Sequence, residues 1–153
     1  MIKVRIARAL LVASVVGAGL SASSAEAQVG LQFYAVTPCR VVDTRTGFGG
    51  IIPASTLRQF TIKGLCGVPG TAKAVSLNAT IVAPTVDGFF SLWPAGGVFP
   101  VVSTLNFLAG EPALANGAIV PLAATTPDLS VAYGTALGAG QTHAVLDVTG
   151  YFQ

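Results

Sequence analysis

One stretch constrains the fold more than any other. Between Lys73 and Ala83, Val75, Leu77, Ala79 and Ile81 alternate with Ser76, Asn78 and Thr80. A period of two with one apolar face is the pattern of a half-buried β-strand and does not fit one face of a helix. The 18 glycines and 9 prolines break up the rest of the chain at short intervals, leaving no convincing helical stretch. Strands are also predicted at Val29–Ala35, Arg40–Asp43, Leu57–Ile62, Phe89–Trp93, Val102–Phe107, Asn116–Leu122, Leu129–Tyr133 and His143–Phe152. Pro84 to Gly88 supplies turn chemistry, so Phe89–Trp93 is expected to return as the partner of the Lys73–Ala83 strand. About nine short strands predict an all-β fold, a two-sheet antiparallel β-sandwich of jelly-roll-like form.

The N-terminus reads differently. Lys3, Arg5 and Arg8 precede an apolar run from Ala9 to Leu20, and small residues lead to Ala25-Glu26-Ala27. That is the pattern of a secretory signal peptide cleaved before Gln28. The apolar run falls short of the ~20 residues that span a bilayer. The expected organisation is therefore a signal peptide over 1–27 and one β-sandwich domain over 28–153. No membrane span is expected after cleavage, and the destination is the periplasm, the cell surface or the medium. Short strands and 8% aromatic residues also argue against an outer-membrane barrel.

Cleavage changes the electrostatics. Lys3, Arg5, Arg8 and Glu26 leave, and of 8 basic and 6 acidic residues five of each remain. A near-neutral chain with no basic patch lacks the electrostatic footprint of a nucleic-acid binder. Low charge favours self-association instead.

Few residues invite chemistry. Cys39 and Cys66 are the only cysteines, and in an exported chain they are expected to form a structural disulfide. His143 is the single histidine, so no site with several imidazoles can form, and no cofactor or metal is expected. Arg40, Asp43, Arg45 and Asp147 are predicted to form an ion network if the first and last strands pair. The catalytic alternative makes Asp43 and Asp147 a glycosidase pair, but neighbouring arginines lower carboxylate pKa values and spoil a general acid. Trp93 and Phe89 share one side of their strand. With Tyr133 they make a candidate platform for a sugar ring, although a lone Trp is more often core. Val29, Leu31 and Phe33 alternate in a terminal strand. It either docks on its own domain or donates itself to a neighbouring copy. A faint echo links Ile81-Val82 and Asp87 to Ile119-Val120 and Asp128, as two related hairpins would.

Six phrases complete the reading: TPCRVVDTRTG at Thr37–Gly47, CGVPGTAKAVSLNAT at Cys66–Thr80, WPAGG at Trp93–Gly97, STLNF at Ser103–Phe107, ANGAIVPL at Ala115–Leu122 and LDVTGYF at Leu146–Phe152. Together they resemble a secreted bacterial β-domain found in actinobacterial and acidobacterial exported proteins. The resemblance implies an extracellular all-β module, structural, adhesive or ligand-binding, with no agreed catalytic residue. The expected function is that of a secreted, non-enzymatic structural or surface-interaction protein that associates with itself or with another surface protein. A small module binding cell-wall or environmental glycans is the alternative, and a glycoside hydrolase is the weakest reading.

Overall fold

The computed structural model describes residues 30–153. The predicted signal peptide and Val29 lie outside the described residues. Nine strands run in the order β1 (Phe33–Asp43), β2 (Ile52–Pro53), β3 (Leu57–Phe60), β4 (Ala74–Val82), β5 (Gly88–Pro94), β6 (Leu105–Phe107), β7 (Ala113–Pro121), β8 (Leu129–Gly134) and β9 (Gln141–Phe152). They form two antiparallel sheets. The larger has five strands in the order β1-β9-β4-β7, with β2 joining β9, and the smaller is β3-β8-β5-β6. The all-β two-sheet sandwich expected from the alternation is the fold observed.

The apolar face of β4 is buried as its pattern requires: Val75, Ala79 and Ile81 are fully enclosed, with Leu77 close behind. With Leu146 and Val148 of β9 they pack against Phe90 and Leu92 of β5 and Val131 and Tyr133 of β8. Removing this apolar surface from water is the main term holding the sheets together.

Several boundaries differ from expectation. The two predicted N-terminal strands are one strand, β1, interrupted by register shifts between Ala35 and Cys39 and between Arg40 and Val42. Pro38 explains the first, since it lacks an N–H for the ladder yet tolerates extended backbone, giving an irregularity rather than an end. Strand β2 is too short to carry a pattern. Strands β4 and β5 do not form a hairpin. They lie in different sheets, and the segment between them is a corner. That corner is tied to the start of β9, where the Thr85 N–H donates to the Gln141 carbonyl at 3.0 Å. The Gln141 N–H donates back to Thr85 Oγ1 at 2.9 Å. The segment after β7 crosses sheets in the same way, so β4 pairs with β7 and β5 pairs with β8. The two halves of the sequence echo thus lie side by side.

Candidate functional site

Pairing of β1 with β9 sets Arg40 directly opposite Asp147. Arg40 Nε donates to Asp147 Oδ1 at 2.8 Å and Nη2 to Oδ2 at 3.1 Å, a bidentate fork. Where β1 ends, Asp43 receives Arg45 Nε at 2.9 Å, Arg45 Nη2 at 2.7 Å and the Arg45 backbone N–H at 3.0 Å. A longer contact of 3.5 Å from Arg40 Nη1 to Asp43 Oδ2 links the two pairs. Hydrogen bonds from Arg45 hold the Asp43 carboxyl well below the usual carboxylate range. Asp43 therefore carries no proton to give at neutral pH, and Arg40 occupies both oxygens of Asp147. This chemistry suits a fixed ionic clamp and disfavours a general-acid and nucleophile pair.

His143 sits beside the clamp, half-buried, with Nδ1 3.1 Å from Thr44 Oγ1. That hydroxyl oxygen also accepts the Ala144 N–H at 2.9 Å, which pins the chain after β1 to β9. Cys39 and Cys66 form a disulfide, as expected, with Cα atoms 5.7 Å apart. The bridge leaves no thiol near His143 to act as a nucleophile.

The aromatic residues divide. Along β5, Phe90 and Leu92 face the core, while Phe89, Ser91 and Trp93 face outward from the smaller sheet. The connection from β5 to β6 folds back over that outer side. Ser91 Oγ donates to the Val102 carbonyl at 3.0 Å. Phe99 meets Trp93 edge-on with centroids 5.2 Å apart, and Trp93 Nε1 donates to the Gly97 carbonyl at 3.1 Å. Trp93 is consequently only 7% exposed without belonging to the main core. Phe89, Trp93, Phe99 and Leu57, with the residues Ser55 and Thr135, line a cleft of about 440 Å³. Tyr133 borders the same cleft, but its side chain lies inside the fold. It is fully buried opposite Phe90, packs against Phe107 with centroids 5.5 Å apart, and donates its hydroxyl to the Val86 carbonyl at 2.9 Å. Phe99 takes its place at the surface. Sequence reasoning missed Phe99 because its Gly-Gly-Val-Phe-Pro surroundings read as a loop.

The N-terminal strand is docked on its own domain. Phe33 pairs with Phe152, their ring centroids 5.1 Å apart, and its ring covers Gly150 so closely that any side chain there would collide. Leu31 and Phe33 stay half-exposed. Donation of this strand to a neighbour is thus not the arrangement observed, because β9 already holds it.

Asp128, which the sequence echo sets against Asp87, is fully buried. Its carboxylate accepts the N–H groups of Ile62 at 2.9 Å and Lys63 at 3.0 Å. Among the described residues no group of three or more His, Cys, Asp or Glu is placed to hold a metal ion. No protein-family model matches the chain, and neither a curated protein nor a solved structure is similar to it.

Proposed function

We propose that the mature chain is an exported, non-enzymatic β-sandwich that serves as a structural or surface-interaction protein and associates with copies of itself through its strand edges. One observation carries the reading: the charges are almost all engaged within the fold. Arg40, Asp43, Arg45 and Asp147 bind one another. Arg58 and Lys63 donate to backbone carbonyls, and Asp87 and Asp128 accept backbone N–H groups. Of the ten charged residues left after cleavage, Lys73 and Glu111 alone make no side-chain bond among the described residues. Few free charges remain to keep copies apart. Val98, Val101, Val102 and Leu108 are each more than 60% exposed. The disulfide suits an oxidising compartment, and the N-terminal pattern supplies the route to it.

Light scattering on the oxidised chain from Gln28 to Gln153, over a hundredfold concentration range, tests the reading. A molar mass that rises with concentration is expected, and a monomer throughout overturns it. The aromatic cleft favours a second reading, a glycan-binding module in which Phe89 and Phe99 stack on a sugar ring. Binding of soluble cell-wall fragments that is lost in Phe99→Ala would support it, and no binding by the unaltered chain would exclude those fragments as ligands.

A further inference from the structure

We propose that β7 is the edge through which copies join, pairing antiparallel with the β7 of a second copy about a two-fold axis at Gly117. The inference rests on the self-association reading and specifies the strand and register.

The sandwich has four strand edges, and three of them are protected. Strand β1 is bent by two register shifts, carries Arg40 and is tethered to Cys66. Strand β3 has four residues and carries Arg58, and β6 has three residues. Strand β7 has no charge, bulge or disulfide, and its one side-chain tie, Asn116 Nδ2 donating to the Thr104 carbonyl at 2.7 Å, occupies none of the strand's own N–H or C=O groups. It runs nine residues, ALANGAIVP, without a charge and with its only proline at the last position. Its ladder with β4 is unbroken from Ala74↔Pro121 to Val82↔Ala113. No backbone bond outside that ladder reaches Ala113–Pro121 among the described residues. A long, straight, uncharged edge of open N–H and C=O groups is a template for another strand.

Its own sequence fits that role. With Gly117 on the axis, residue pairs whose numbers average 117 face each other. Ala115, Gly117 and Ile119 lie on the outer face, opposite Thr80, Asn78 and Ser76 of β4. Ile119, 66% exposed, would cover Ala115 of the other copy, and the reverse contact repeats it. On the inner face Leu114 would meet Val120, extending the core across the junction. Such an interface is isologous: both copies use the same patch and it closes as a dimer, doubling the five-stranded sheet.

Gly117 offers a clean test, because a Cβ there meets nothing within 4 Å and its backbone is not left-handed. Gly117→Lys thus folds as a monomer, as circular dichroism will check, yet sets two ammonium groups face to face in the dimer. Its dissociation constant is expected to rise roughly tenfold or more, and mixing it with Gly117→Glu is expected to restore dimers. Facing Cα atoms in such a pair lie roughly 4.5–5.5 Å apart, so oxidised Gly117→Cys is expected to give a 117–117 crosslink on peptide mapping. If the unaltered chain associates while Gly117→Lys associates equally and Gly117→Cys does not crosslink, the β7 assignment falls and self-association stands. If the unaltered chain is monomeric throughout, both fall.

Discussion

Arg40 and Asp147 face each other across the β1–β9 ladder, and Asp147 in turn faces Asn78 of β4. The fork between guanidinium and carboxylate therefore marks register across three strands. A slip of one residue would turn Arg40 toward the core side and break the fork. The Arg40 side chain is half-exposed, so the pair contributes specificity more than stability. Asp147→Asn is expected to lower the urea midpoint only modestly, by less than loss of the disulfide does. Equilibrium unfolding of the two variants side by side checks the order.

Acid should weaken the fold through Asp43. Its folded pKa lies below the ordinary value of 3.8, because Arg45 and Arg40 favour the charged form. Below 3.8 the unfolded chain takes up a proton that the folded chain refuses, so the contribution is complete above that pH and declines beneath it. Urea midpoints measured from pH 6 to pH 2 are expected to fall at the acid end. In Asp43→Asn that fall becomes shallower, and an unchanged profile would refute the assignment.

The disulfide spans 27 residues of sequence, and closing a loop of that size restricts the unfolded chain. Replacing both cysteines by serine is expected to cost about 3–4 kcal/mol. Chemical denaturation of the oxidised chain against the double variant measures it directly.

Trp93 and Phe99 should respond differently to truncation. Trp93→Ala removes a buried ring and its bond to Gly97, at a cost of about 3–5 kcal/mol. Phe99 is 49% exposed, so Phe99→Ala should leave the melting temperature within a few degrees while opening the cleft. Thermal melts separate the two. Phe99→Ala is therefore the cleaner test of the glycan-binding proposal.

Asp128→Ala strands the N–H groups of Ile62 and Lys63 beside a buried site and is expected to cost about 2–4 kcal/mol. A surface turn residue would cost a fraction of that, and a denaturation curve distinguishes the cases.

Much of this architecture is legible in the chain itself. The alternation in β4 is clean because that strand is buried on one face only, so its burial repeats in step with its sequence. Strand β8 hides its orientation for the opposite reason. Ser130 and Ala132 on its outer side are as enclosed as Val131 and Tyr133 on its inner side. Nothing local therefore says that Tyr133 points inward. The corner at Pro84–Gly88 looks like a hairpin because turn residues do not report which strand receives the chain next. Asp128 resembles any turn aspartate until residues far away in sequence bring it their amide groups. Arg40 and Asp147 could be linked in advance only on the assumption that the first and last strands pair, a long-range fact of topology.

Strand β9 is flanked by β4 on one side and by β1 and β2 on the other. Until residues 141–152 are available, the N-terminal strand and the central strand of the larger sheet have no common neighbour. The larger sheet therefore cannot close until the last of its strands is in place. The order of strands makes the docking of β9, rather than the formation of any earlier segment, the event that commits the molecule to its shape.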